Sequence, residues 1–406
     1  MRKKLIDGIK YWGQVLLLPI YWISFLTPRD KNIWLFGSTF GNRFADNPKY
    51  LYLYANQNQK NEIRPIWITH NKDVVQFLNG KNYEVYYYRS LKGIYYCLRG
   101  KVYIFDNYSK DISFWLSGGA TKVNLWHGVG NKKINYDNKF DKVRHPKNNW
   151  DKFKTFLRRM SDEKPNHYVL ATSPVKTKIF MSAFRVAQSH IIEAGLPRND
   201  ALLDPEFQNL YNEKEKELIT SITSWRKKNL QVNCYMPTFR NSETKLFSVM
   251  NFDKFNHFLV QNNMIFLVKL HPKSIIANKF KEFNYSNIKY VDANIDPYTF
   301  LQLVDILTTD YSSIYTDFML LNRPVVGFYY DYDSYSQDTR ECYFDFDEYM
   351  PELKAYNMDE LIEVIKRVML EDICLKNRIK SRDRMFATPN ELACEKVYNK
   401  IYRIIG

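Results

Sequence analysis

Residues 307–318 read Leu307, Thr308, Thr309, Asp310, Tyr311, Ser312, Ser313, Ile314, Tyr315, Thr316, Asp317, Phe318. The run before them, 301–307, is short, largely apolar and of strand length. After them Ile314, Phe318, Met319 and Leu321 recur at helical spacing. Asp310 therefore stands at a strand-to-helix junction, the repeating unit of a parallel α/β sheet. An Asp or Ser there can cap the helix. The same backbone N–H groups, with the Ser312 and Ser313 hydroxyls, can instead hold an anion such as phosphate. Both readings are open on this stretch alone.

The alternation extends in both directions. Strands are expected at 33–37, 65–69, 83–88, 102–105, 123–126 and 168–171, with helices at 48–56, 74–78 and 91–98 and after Pro174. A second βα series places strands at 232–236, 265–270, 288–291, 304–307 and 325–328, with a helix at 252–261 and helices over the last 45 residues. The polar stretch 212–228 reads as the connection between domains, and the basic stretch 142–164 as helical. At 406 residues with 45% hydrophobic content, the chain exceeds one ordinary core and can bury two. The expected divisions are 1–28, 29–211, 212–385 and a C-terminal helix at 386–406.

Charge and cysteine usage narrow the class. Fifty-nine Lys and Arg against 44 Asp and Glu give +15, which suits an anionic partner: nucleic acid, a phospholipid surface or a phosphorylated substrate. The five cysteines are scattered and form no CxxC pair, so neither a disulfide framework nor a zinc site is indicated, and a reducing cytoplasm fits. At the N-terminus, Arg2, Lys3, Lys4 and Lys10 precede an uncharged aromatic run, 11–26, that Pro19 interrupts and Arg29 and Lys31 follow. That run is shorter than the roughly 20 residues a membrane-spanning helix needs, and Pro19 would kink a helix there. No small-residue cleavage site follows it, and Trp and Tyr favour headgroup depth. The expectation is a segment lying on the inner membrane face, against the alternative of a helix packed on the protein.

In open α/β sheets ligands bind outside the carboxyl ends of the strands. After the strand at 123–126 come His127, Gly128, Val129, Gly130, Asn131, Lys132 and Lys133. A histidine there can take a proton from a hydroxyl while cations hold a phosphate. After 265–270 come His271, Pro272 and Lys273; after 232–236 come Pro237, Thr238, Phe239 and Arg240. With Thr309, Asp310, Ser312 and Ser313, three strand ends of the second domain carry groups suited to a diphosphate.

In combination, WHG with a following lysine (126–132), GLPRND (195–200), MPTFR (236–240), LVKLHPK (267–273) and TTDYSSIYTDF with RPVVGFYYDYDSY (308–318, 323–335) resemble the CDP-glycerol glycerophosphotransferase family, the primases and polymerases of teichoic acid and related capsule synthesis. The resemblance runs over about residues 120–350 in the family's order. It implies a GT-B fold of two Rossmann-like domains facing a cleft, the C-terminal one holding the nucleotide. It also implies a peripheral enzyme on the cytoplasmic face of the membrane, with a polyprenyl-diphosphate-linked acceptor.

Carried onto this sequence, the resemblance makes His127 the general base and His271 a contact to the donor diphosphate. Arg240, Lys273, Thr309, Asp310, Ser312 and Ser313 would bind phosphate or order the phosphate loop, and Lys132, Arg198 and Asp200 would meet acceptor or phosphate. The donor would be CDP-glycerol or CDP-ribitol, CMP would leave, and no cofactor is implied. In one respect the chain departs: family members commonly carry Thr and Pro after His-Gly, where Val129 and Gly130 stand here.

Competing readings attach to other residues. Asp331, Tyr332, Asp333 and Asp345, Phe346, Asp347 have the carboxylate spacing that metal-dependent glycosyltransferases use, but solvated loop carboxylates are the expectation. His70, His145, His167, His190 and His257 show no ligand spacing and are expected to be incidental. The aromatic-interleaved basic stretch 142–164 could face nucleic acid, yet no recognisable nucleic-acid module surrounds it, and an anionic lipid explains the same charge. A GT-B glycosyltransferase using a nucleotide sugar is the alternative activity.

Overall fold

The computed structural model describes residues 8, 11–59, 61–162, 167–240, 243–332 and 341–406. Of the residues singled out above, Arg2, Lys3, Lys4, Lys10, Lys164, Asp333 and Tyr335 lie outside that set. The chain forms two units: Met1–His127 with Lys133–Asp200 and Glu391–Gly406, and Ala201–Asn390 with the short segment Gly128–Lys132.

In the first unit the strands are β1 (Asp30–Phe36), β2 (Arg64–Thr69), β3 (Val85–Tyr87), β4 (Gly100–Phe105), β5 (Thr121–Asn124), β6 (Tyr168–Ala171) and β7 (Ile191–Glu193). They pair, all parallel, in the order β3-β2-β1-β4-β5-β6-β7. In the second unit β8 (Gln231–Tyr235), β9 (Met264–Lys269), β10 (Ile288–Val291), β11 (Ile306–Thr309), β12 (Val325–Phe328) and β13 (Leu353–Ala355) pair in parallel as β10-β9-β8-β11-β12-β13. Both are doubly wound Rossmann-like sheets. In each, the strand order reverses between the first and fourth strands, which is where such sheets bind ligands.

The strands read as apolar runs because both sheet faces are covered. β9 is buried at every position. Phe255, Leu259, Phe266, Val268, Val326, Leu361 and Ile365 fill the second core, and Leu35, Ile66, Ile68, Tyr103 and Phe105 one face of the first. Each such side chain contributes about 1.5–3 kcal/mol relative to exposure.

Three expectations are revised, and two short strands are new. The stretch 301–307 is not one strand: Leu301–Leu303 is a 3-10 turn, and β11 begins at Ile306. Asp305 separates them, accepting from Val232 N at 2.9 Å and pairing with Arg226. The stretch 212–228 is a helix of the second unit, Glu213–Lys227, not a linker. Asn212 and Glu215 form a reciprocal capping box at its start, and Glu215 Oε1 accepts from Asp296 N at 3.2 Å. The basic stretch contains two short helices, Asn149–Lys154 and Phe156–Asp162, after a turn in which Arg144 pairs with Asp141 at 2.6 Å. Finally, β7 and β13 add strands of three residues each, too short to leave an alternation in sequence.

At the N-terminus, Pro19 stands in the first turn of the helix Leu18–Ile23, directly after the 3-10 turn Gln14–Leu17, so the helical path changes type at the proline. Among the described residues no helix is long and apolar enough to cross a membrane. The segment is tied to the first unit. Tyr21 stacks on Phe114 at 4.6 Å, Ser24 Oγ accepts from Gly118 N at 2.9 Å, and Arg29 donates to the carbonyls of Cys97 and Leu116 at 2.5 and 2.8 Å. It nevertheless leaves Leu16, Trp22, Ile23 and Leu26 exposed. The last helix, Cys394–Ile405, packs in the first unit through Tyr398, which donates to Glu62 at 2.9 Å.

Candidate active site

His127 stands three residues beyond β5, where the backbone is fixed by buried amides. Asn124 Oδ1 accepts from Trp126 N at 2.8 Å, and Asn47 Nδ2 donates to the Trp126 carbonyl at 2.7 Å. These bonds hold Trp126 at φ 51°, a left-handed conformation that costs a bulky residue about 1–2 kcal/mol. Its indole lies 4.1 Å from the imidazole of His127. His127 Nδ1 is 2.9 Å from the carbonyl oxygen of Asp106, just past β4. A carbonyl only accepts, so Nδ1 carries the proton and Nε2 presents the lone pair. One edge of the residue is exposed while protein surrounds the ring at longer range. That burial holds its pKa below 6.5, with Arg198 adding to the lowering, against opposite pulls from the Asp106 carbonyl and Asp46. The His127 imidazole is therefore neutral near pH 7.

His271, two residues past β9, has the reverse arrangement. Its Nδ1 accepts from the backbone N–H of Lys273 at 3.1 Å, so Nε2 bears the proton and donates. The ring is exposed, with Phe239 at 5.3 Å. Buried Glu243 anchors the loop, accepting from Ser274 Oγ at 2.8 Å and Ile275 N at 2.9 Å.

At the strand reversal of the second unit, Asp310 is fully buried and accepts from Thr238 N at 2.8 Å. Arg240 lies between Asp310 and Asp331 and is ion-paired to both, with its guanidinium 5.0 Å from the Tyr330 ring. Thr309 donates its hydroxyl to the Met236 carbonyl at 2.7 Å. These three sequence candidates are thus the frame of the loop and not its ligand-facing surface. Ser312 and Ser313 differ. The first is half-buried, the second exposed at the start of the helix Ile314–Phe318, where it makes no side-chain capping bond. The helix-cap reading of Asp310 and the serines fails, because Asp310 is spent on Thr238 and Arg240. Gly130 belongs to the same unit: a Cβ on it would meet Ser313 Cβ at 3.1 Å, so the residue at the departure from the family pattern permits a close approach to the serine loop.

Comparison with known proteins adds the class. The family model described as CDP-Glycerol:Poly(glycerophosphate) glycerophosphotransferase matches residues 20–403. The chain belongs to this glycerophosphotransferase family. It is 29% identical to a teichoic acid poly(glycerol phosphate) polymerase of Bacillus spizizenii, over 90% of this chain and 91% of the relative. It is 28% identical to a teichoic acid glycerol-phosphate transferase of Staphylococcus aureus, over 84% of each. Among solved structures, the wall teichoic acid polymerase TagF superposes with a TM-score of 0.74 at 22% identity, covering 99% of this chain and 97% of that one. The fold is accordingly GT-B-like.

Within the glycerophosphotransferase pattern, several candidates take other places. Asp200 is buried, and its two carboxylate oxygens accept from Ala393 N at 2.7 Å and Cys394 N at 2.8 Å, capping the last helix. Arg198 is buried against Asp46 at 2.7 Å, and its backbone N–H donates to Asn47 Oδ1 at 3.2 Å, within the cluster that fixes Trp126. Its charge contributes to the lowered pKa of His127. Lys132 is half-buried and forms an antiparallel bridge with Cys342, beside Asn131, which exchanges two bonds with the Phe344 backbone at 2.9 and 3.0 Å. Lys273 is exposed next to His271. Asp345 caps the helix Phe346–Tyr349 and Asp347 pairs with Lys354, so these carboxylates have structural partners. Asn47, Asn124, Asp106 and Glu243 escaped sequence reading. Asn124 alone left a signal, a polar residue ending an apolar strand just before His127.

Proposed function

We propose that the chain transfers glycerol phosphate from CDP-glycerol to a hydroxyl of a lipid-linked or growing teichoic acid acceptor and releases CMP. The observation that carries this reading is the opposed tautomers of the two histidines. His127 offers a lone pair and His271 offers a proton, as a base and a phosphate donor must. The acceptor oxygen attacks the phosphorus bearing glycerol, its proton passes to His127 Nε2, and the bond from that phosphorus to the CMP oxygen breaks. Charge developing on the leaving phosphate is met by His271 Nε2–H, Lys273 and the Ser312 and Ser313 hydroxyls. Phosphoryl transfer depends mostly on positioning and charge stabilisation, and each of these groups is chemically suited to one part of it. No resident cofactor enters the scheme.

The same reading places the enzyme on the cytoplasmic face of the membrane as a peripheral protein. The exposed Leu16, Trp22, Ile23 and Leu26, and the exposed Trp150, Phe153 and Phe156 among lysines, support that site of action. A polyprenyl-diphosphate-linked acceptor and a role in capsule or wall teichoic acid fit such a surface. The test is a donor panel of CDP-glycerol, CDP-ribitol and UDP-sugars with a lipid-linked acceptor. CMP release with CDP-glycerol is expected; release of a nucleoside diphosphate from a UDP-sugar would replace this reading with glycosyl transfer.

A further inference from the structure

In the first unit the strand order reverses between β1 and β4, so the ligand crevice of this sheet lies between the loops that follow those strands. His127 follows β5, one strand further along. What occupies the crevice itself is the turn Thr39–Gly41, three consecutive residues in the left-handed region at φ 50°, 55° and 79°. A β-branched residue and a phenylalanine both avoid that region. Two buried carboxylates hold the backbone there: Asp106 Oδ1 accepts from Thr39 N at 3.0 Å, and Asp111 Oδ1 accepts from Phe40 N at 2.9 Å. Asp106 also supplies the carbonyl that orients His127, so one residue fixes both the base and this turn.

The result is a phenyl ring left in solvent. Phe40 is 45% exposed although it sits at the mouth of a crevice. The ammonium of Lys110 lies 5.4 Å from its centroid, and that lysine is also paired with Asp162 at 2.8 Å while keeping a third of its side chain accessible. Strained backbone persists where surrounding structure over-determines it, and it concentrates at ligand sites. An exposed ring beside a cation suits a ligand with an apolar C–H face and a neighbouring phosphate. By ordinary strand spacing the β1 loop is two strands, about 10 Å, from the β5 loop that carries the base. That spacing suits the acceptor, the molecule whose hydroxyl goes to His127 in the transfer reaction inferred above.

We propose that Phe40 is the platform on which the polyol chain of the acceptor packs, with Lys110 meeting its phosphodiester, so that this turn sets acceptor affinity. The proposal rests on the transfer reaction inferred above, and its test is separable from it. Calorimetric titration of the full chain with a short synthetic oligo(glycerol phosphate) reads the platform without turnover. Phe40→Ala is expected to weaken binding about tenfold, the loss of one aromatic contact, and Phe40→Trp to stay within about twofold of wild type. In the transfer assay Phe40→Ala should raise KM for the same acceptor by a similar factor and leave KM for CDP-glycerol unchanged. Wild-type affinity in Phe40→Ala, or no binding of the probe to the wild-type chain, overturns the platform. Loss of the reaction reading would show instead as an inactive wild type in the donor panel, whatever Phe40→Ala does to binding.

Discussion

Replacing Arg240 with alanine separates a frame residue from a ligand contact. The Arg240 side chain is 4% exposed, and the carboxylates it joins, Asp310 and Asp331, are wholly buried. Without the guanidinium these two charges face each other with no cation between them. Removing one partner of a buried ion pair costs about 3–5 kcal/mol, most of it the uncompensated charge left behind. For a unit of this size each kcal/mol lowers the melting temperature by about 2–4 °C, so scanning calorimetry should show a fall of roughly 6–20 °C. Arg240→Lys should recover little, because an ammonium cannot reproduce the fork that spans two carboxylates. The matched control is His271→Ala, which removes an exposed ring and should raise KM for CDP-glycerol with the melting temperature unchanged. An Arg240→Ala protein that melts like wild type but binds CDP-glycerol poorly would refute this reasoning and return Arg240 to the diphosphate.

Three further outcomes follow from other parts of the structure. Because burial depresses the His127 pKa, the base form persists into mild acid, and kcat/KM should fall on the acid side with a midpoint below 6.5; a midpoint above 6.5 contradicts the burial argument. Asp200→Ala removes both cap acceptors of the last helix and should cost about 1–2 kcal/mol in denaturant unfolding, with acceptor KM unmoved. Trp22→Ser with Leu26→Ser should weaken sedimentation with vesicles containing anionic lipid by at least about tenfold, since each buried apolar side chain contributes about 1.5–3 kcal/mol, while activity on a soluble acceptor is retained.

What could be read in the sequence was local. The stretch 307–318 gave a strand-to-helix junction because its apolar spacing changes within a dozen residues, and β11 and the helix Ile314–Phe318 stand there, the strand begun later than expected. The strand-end positions of His127 and His271 were legible because each closely follows a largely apolar run. For Arg240, Arg198 and Asp200 the sequence hid a buried protein partner. Asp331 lies 91 residues from Arg240, and Ala393 lies 193 from Asp200, so a charged side chain at a strand end looks the same in sequence whether its partner is a ligand or a distant buried group. The turn at Thr39–Gly41 was hidden on similar grounds: at Thr39 and Phe40 the residue type does not announce left-handed backbone, which Asp106 and Asp111 hold from another strand end.

The most direct test of the central claim uses CDP-glycerol labelled in the glycerol, a lipid-linked acceptor and the His127→Ala protein. Wild type should move label into the acceptor with one CMP released per glycerol phosphate, and His127→Ala should do so slower by about 10²–10⁴-fold while melting at the wild-type temperature. A folded His127→Ala protein that transfers label at the wild-type rate would contradict the assignment of the base.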